Sequence, residues 1–210
     1  MTIEKDFFRQ VMGQFTTGVS VVTARSEDGL AGLTVNSFTS VSLEPPLVLI
    51  CVDVNSTALP FIRASGNFAV NILTSEQEYI SQCFATTSTE RYEHFCYASF
   101  HIASTGSPIL DEALAYIDSR IVAEYPGGDH VIFVGLVQAM GTNGHAAYAD
   151  EEHQVQSAYQ GLKMEETSLS NHLNHNDQKA PLVYYRGKYR HLAQDYQRPS
   201  LAASYAEDVK

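Results

Sequence analysis

Cysteine is scarce in this chain: Cys51, Cys83 and Cys96 are the only three among 210 residues, and no two form a CxxC pair. Three cannot all pair within one molecule, so free thiols in a reducing cytoplasm are expected rather than a disulfide-stapled fold. Basic residues are few as well. Lys and Arg total 13 against 24 Asp and Glu, a formal net charge of −11. That balance argues against nucleic acid and against anionic membrane surfaces as partners. A phosphate-bearing small molecule must then be held by backbone N–H groups, hydroxyls and a few local cations. The chain opens with no basic segment followed by an apolar run, and its apolar stretches are too short to cross a bilayer. A soluble, cytoplasmic protein is expected. No internal repeat is visible, and no Gly-x-Gly-x-x-Gly follows a strand, which argues against a Rossmann cofactor site.

What is present suffices for one core. The composition is 44% hydrophobic, and no Pro/Gly/Ser-rich linker divides the first two thirds. A single domain over residues 1–195 is expected, with a polar excursion at about 141–180 and a tail over 196–210.

Local patterns supply the elements. Phe7, Phe8, Val11, Met12 and Phe15 follow a helix face. Residues 18–24 are rich in β-branched side chains, Asp28-Gly29 is a turn signal, and residues 30–38 resume as a strand, giving a hairpin. Pro45-Pro46 precedes the nearly continuous apolar run 47–53, expected to be a strand buried on both faces. Asn55, Ser56 and Thr57 offer caps for a helix over 58–64, with Pro60 tolerated in its first turn. A strand over 67–73 follows, then a helix start at Thr74-Ser75-Glu76-Gln77. Residues 115–125 and 130–140 pair through a Pro126-Gly127-Gly128-Asp129 loop, and residues 181–192 turn at Arg186-Gly187-Lys188. Many strands, short turns and few helices predict a mainly β fold, an antiparallel barrel rather than a doubly wound sheet.

His172 and His175, with His145 and His153 upstream, lie in the polar stretch. Zinc needs three or four ligands in definite geometry, and no cysteine accompanies them, so a solvated loop without metal is the reading.

Residues 32–48, from Gly32-Leu33-Thr34-Val35-Asn36-Ser37-Phe38 to Pro45-Pro46-Leu47-Val48, resemble the central motif of the flavin reductase-like family. These are the short NAD(P)H:flavin oxidoreductases of two-component flavin monooxygenases. The similarity continues through Ser56-Thr57, Ser65-Gly66-Asn67, Gln82-Cys83-Phe84-Ala85, Gly128-Asp129-His130 and Pro181-Leu182-Val183-Tyr184-Tyr185-Arg186-Gly187. The resemblance implies an FMN-binding split β-barrel with Greek-key-like connections and a few flanking helices. It also implies a homodimer holding FMN or FAD near its subunit interface, with NADH (or NADPH) as reductant. Reduced flavin would diffuse to a separate monooxygenase. The polar stretch 141–179 departs from the shorter connection expected of the family.

Hydride transfer to a flavin needs two stacked rings more than acid–base machinery. A cradle of hydroxyls, amides and backbone groups is therefore sought. Alternation along an extended strand sends Thr34, Asn36 and Phe38 to one face and Val35, Ser37 and Thr39 to the other, with Ser40 following. The resemblance makes this segment cofactor-binding; read alone, its polar residues finish a strand. Cys51, Val52 and Asp53 are where the family's chain passes the flavin. Ser56 and Thr57 then serve a phosphate or merely cap a helix, and Arg63 stands further along that helix. Phe84 and Ala85 contact the flavin by resemblance, or Phe84 is core. His130 is the catalytic candidate, donating to the nicotinamide or stabilising reduced flavin, unless it only fixes the turn with Asp129. Tyr185 and Arg186, with Tyr189, border a ring or phosphate, or belong to a solvated turn.

Two functions follow. One is an NAD(P)H:flavin oxidoreductase feeding a partner monooxygenase. The other is a flavin-binding store or sensor without turnover, which would need no nicotinamide-facing His130. A pyridoxamine-phosphate oxidase-like activity fits the motifs less well.

Overall fold

The computed structural model describes residues 3–142, 145–149 and 179–192. In chain order it contains helix α1 (Lys5–Met12), strands β1 (Thr17–Gly18), β2 (Ser20–Ser26), β3 (Gly29–Val35), β4 (Thr39–Leu43) and β5 (Pro46–Asp53), helix α2 (Leu59–Ser65) and strand β6 (Asn67–Ile72). A 3-10 turn (Ser75–Gln77) leads into α3 (Glu78–Ala85), followed by α4 (Thr89–His94) and a second 3-10 turn (Phe95–Tyr97). Strands β7 (Phe100–Ile102), β8 (Pro108–Leu110), β9 (Ala115–Gly127), β10 (His130–Thr142), β11 (His145–Tyr148), β12 (Val183–Tyr185) and β13 (Lys188–Arg190) complete it.

Seven strands run in the order β3-β2-β6-β9-β10-β5-β4, all pairs antiparallel, and β11 adds to β10. The end strands β3 and β4 follow one another in the chain but do not pair. The sheet curls without closing, which is the split barrel. A small sheet, β1-β12-β13, lies beside it.

The two longest strands exceed the expectation. Strands β9 and β10 run thirteen residues each and turn on Gly128-Asp129 alone, with His130 paired to Gly127. Gly128 has φ +77°, which a residue without Cβ adopts at no steric cost. The polar stretch expected from residue 141 therefore opens with a hairpin, since β10 continues to pair with β11. His153, His172 and His175 and the tail 196–210 lie outside the described residues.

Apolar alternation sorts the sheet into two cores. Val21 and Val22 are both fully buried, yet they belong to different clusters on opposite faces of β2. Val22 joins Val48, Ile50, Val52, Ile62, Phe68 and Phe133 inside the barrel; Val21 joins Leu73, Ile80, Phe84 and Leu182 beneath α3. β5 was expected to be buried on both faces and is not. Val48, Ile50 and Val52 are buried, whereas Leu47, Leu49 and Cys51 on its outer face are only half-buried. Among the described residues nothing covers that face, so the apolar run there signals something other than a doubly covered strand.

Buried polar groups lock the barrel to its satellites. Asn71 donates to the Val21 carbonyl and the Thr23 hydroxyl (3.1 Å each) and accepts from the Leu110 N–H (2.8 Å), pinning β8 to the sheet. Asp118 is fully buried and accepts from the N–H groups of Ser104 (2.8 Å) and Thr105 (2.7 Å) and from the Thr105 hydroxyl. Burial still pushes its carboxyl up.

The cysteines correct the expectation of three free thiols. Cys83 on α3 and Cys96 in the second 3-10 turn form a disulfide, because the chain folds back through α4 and brings their Cα atoms to 6.0 Å. Cys51 is the free thiol, and burial raises its pKa. A thiol count in denaturant is expected to give one before reduction and three after it. Three before reduction would remove the bridge. In the folded protein Cys51 should react slowly near neutral pH, since the thiolate is the nucleophile.

Candidate active site

Three cavities of about 200, 350 and 360 Å³ meet at one residue, Asn36. The first is walled by Val19, Thr34, Val35, Ala85, Tyr184 and Tyr189. The second runs under α1, between Phe8, Met12 and Phe15 on one side and Tyr184 and Arg186 on the other. The third is lined by Thr17, Ser20, Phe38 and Thr39. Joined, they span the size range of small-molecule clefts.

Asn36 reaches this junction because β3 stops at Val35. The alternation expected over 34–39 therefore fails at its midpoint. Val35 and Phe38 both pack on the barrel core, although odd and even positions should face apart. Asn36, released from the ladder, is exposed, and its carboxamide makes no hydrogen bond among the described residues. Ser37 instead accepts from the Cys51 N–H (3.3 Å) and donates to the Cys51 carbonyl (3.0 Å), clasping the β3–β4 connection to β5. Thr39 faces the third cavity, and Ser40 lies on the exposed strand β4 opposite Val48.

Hydroxyl bonds to Ser81 tie the cleft wall together. Thr34 donates to the Ser81 carbonyl on α3 (2.6 Å), and the Ser81 hydroxyl bonds the Tyr189 hydroxyl (2.8 Å). Tyr189 meets Tyr184 edge to face at 5.5 Å. Tyr184 was missed by the sequence reading, which chose Tyr185. Alternation along β12 turns Tyr184 into the cleft and leaves Tyr185 outside, its hydroxyl 3.5 Å from the Gln14 amide oxygen. Arg186 has φ +50° in the hairpin turn. Its guanidinium donates twice to that neutral oxygen (3.0 and 2.8 Å) and forms no ion pair among the described residues. Arg63, by contrast, is turned outward onto Glu124 (3.0 Å).

Two of the cofactor candidates are buried. The side chains of Phe84 and Val52 are 1% and 0% exposed. Phe84 fills the core beneath α3, edge-on to Phe95 at 5.0 Å, and a Cβ on Gly32 would lie 2.4 Å from its ring. Ala85, next to Phe84, does line the cleft.

The remaining candidates gather at the far end of β5. Asp53 accepts from the Asn55 N–H (2.7 Å), and Ser56 accepts from the Ala58 N–H (3.3 Å), so both organise the turn. The expected side-chain cap on α2 is absent: Ala58 occupies that position. Thr57 donates to the Tyr92 hydroxyl (3.4 Å). His130 pairs across the ladder with Asp53, and its Nδ1 lies 2.8 Å from Asp129 Oδ1. That bond holds the Asp129 carboxyl below its usual range. His130 does not line the cavities around Asn36.

Among the described residues no cluster of His, Cys, Asp or Glu is arranged to hold a metal, and no helix is long and apolar enough to cross a membrane.

Comparison with known proteins gives the family. Residues 12–193 match the flavin reductase-like domain. The chain is 38% identical over 138 residues to the reductase subunit HsaB of a flavin-dependent monooxygenase from Mycobacterium tuberculosis, covering 66% of this chain and 72% of that protein. It is 37% identical over 192 residues to the NADH-dependent FMN reductase AsuE2 of Streptomyces nodosus subsp. asukaensis, covering 88% and 83%. The fold superposes with a TM-score of 0.69 on the NADH:FAD oxidoreductase SgcE6 of Streptomyces globisporus, solved with NAD and FAD fragments. That pair is 29% identical over 92% of this chain and 95% of the other. The chain belongs to the flavin reductase-like family and is a homologue of the NAD(P)H:flavin oxidoreductase components of two-component monooxygenases.

Proposed function

We propose that this chain uses NADH to reduce a diffusible flavin, FMN or FAD, whose ring lies in the cleft at Asn36. NAD(P)H-dependent flavin reduction, with reduced flavin passed to a separate monooxygenase, is the activity of this homologous group. The observation that carries the site is the unpaired carboxamide of Asn36 at the meeting point of three cavities. A flavin ring has an apolar body and an edge of alternating donors and acceptors. The donor set fits it: a free amide, the Thr39 and Ser20 hydroxyls, and the half-buried Tyr184 ring. Arg186, held by an amide oxygen and without an ion pair among the described residues, supplies a cation for a phosphate in an otherwise acidic protein. When bound, the flavin supplies the hydride acceptor; the residues named orient it and exclude water.

A homodimer is part of the proposal. On the outer sheet face, Leu47, Leu49 and Cys51 stand opposite Leu136, Val134 and Ile132, all half-buried with nothing above them among the described residues. A contiguous apolar face of this kind marks an association surface. His130 continues the alternation of Ile132, Val134 and Leu136. It therefore stands at the edge of the face a second copy would cover, which accounts for its distance from the cleft within one chain.

The test is a specificity panel: NADH or NADPH oxidation followed with FMN, FAD or riboflavin. Flavin-dependent NADH consumption is expected; stoichiometric flavin binding with no consumption would leave only a flavin carrier. His130→Ala should lower kcat/KM for the nicotinamide at least about tenfold while flavin affinity changes little. Unchanged kinetics would return His130 to its bond with Asp129.

A further inference from the structure

The Cys83–Cys96 bridge has no part in hydride transfer, yet it is fastened to the cleft wall. On α3, Ser81 holds the hydroxyls of Thr34 and Tyr189, and Ala85 lines the cavity; Cys83 lies between them. Its carbonyl accepts from the N–H (3.2 Å) and hydroxyl (3.1 Å) of Thr86, closing the end of the helix. Arg91 of α4 donates to the carbonyls of Thr86 and Gly32 (3.1 Å each), stringing α4 between the end of α3 and β3.

The other end of the bridge sits in an unfavourable turn. Phe95, Cys96 and Tyr97 have φ of +48°, +55° and +52° in succession, with no glycine among them. Residues carrying a Cβ disfavour this region, so three together persist only where the surroundings impose them. Two anchors do so: the Phe95 ring, packed edge-on against Phe84 and Phe100, and the covalent tie at Cys96.

We propose that Cys83–Cys96 is a redox-modifiable site, and that its reduction by a dithiol weakens flavin binding in the cleft; this rests on the cleft being the flavin site. One thiolate of the dithiol attacks Sγ of Cys83, the half-buried partner. The S–S bond breaks, and its electron pair leaves on Cys96, which takes up a proton. The second thiol of the reagent then attacks the mixed disulfide, freeing Cys83 as a thiol and leaving as an intramolecular disulfide. Two electrons and two protons pass from reagent to protein. With one anchor gone, the left-handed turn relaxes, α3 frays from Cys83 onward, and the wall formed by Ala85 loosens.

The experiment titrates FMN and FAD by fluorescence into the full chain, oxidised or treated with dithiothreitol, with thiols counted in each sample. Reduction is expected to weaken flavin affinity at least about threefold. A C83S/C96S variant should sit at the weaker affinity with and without dithiothreitol. Should that variant fail to fold, the wild-type comparison decides. A fully reduced protein that binds flavin as tightly as the oxidised one overturns the proposal, as does a bridge that resists excess dithiothreitol in the folded state. If neither form binds flavin, the site assignment is what fails, and the switch goes with it.

Discussion

Phe84→Ala is expected to lower the melting temperature by roughly 6–20 °C, the equivalent of about 3–5 kcal/mol in a domain of this size. The ring is fully enclosed between the Gly32 backbone, the Phe95 edge and the apolar cluster beneath α3. Truncation removes its transfer free energy and leaves a cavity that this wall cannot easily close. The experiment separates two readings of one residue. A flavin-contacting phenylalanine would lose flavin affinity with little change in melting temperature. A core phenylalanine loses stability first, and flavin affinity only through movement of Ala85 and Ser81. Calorimetry on the flavin-free protein decides; a melting temperature within about 2 °C of wild type would contradict the packing described here.

Asn36→Asp is expected to weaken flavin binding at least tenfold, about 1.4 kcal/mol, while leaving the melting temperature nearly unchanged. The side chain is exposed and unpaired, so the folded state loses nothing when its amide becomes a carboxylate. The ligand meets two penalties. It gives up a donor for its acceptor edge, and its phosphate approaches a new negative charge in a chain already at −11. Asn36→Ala, which removes the hydrogen bonds without adding charge, should fall between the two, at about two- to tenfold. Raising salt should recover part of the loss in the aspartate variant and none in the alanine one, because only the charge is screened. Equal affinities across all three proteins would move the flavin out of this cleft.

Sequence pattern alone determined the elements whose signals are local. The hairpin at Asp28-Gly29 and the β-branched runs reflect side-chain periodicity within a few residues and appear where expected, and helix α1 forms over Lys5–Met12 although Phe15 falls past its end. The antiparallel fold class was likewise legible. What the chain could not disclose is how distant segments meet. Whether Val21 and Val22 serve one core or two depends on what lies over each face of β2. The outer face of β5 reads as buried because it is apolar, and is half-exposed because none of the described residues covers it. Tyr184 rather than Tyr185 enters the cleft only because β12 pairs with β1 in one register, and a shift of one residue would exchange them. Cys83 and Cys96 are thirteen residues apart with no motif between them, and only the return of the chain through α4 brings them to bonding distance. Local preferences are written in short-range periodicity; partners, register and burial are set by the packing of the whole chain, and so belong to the tertiary structure.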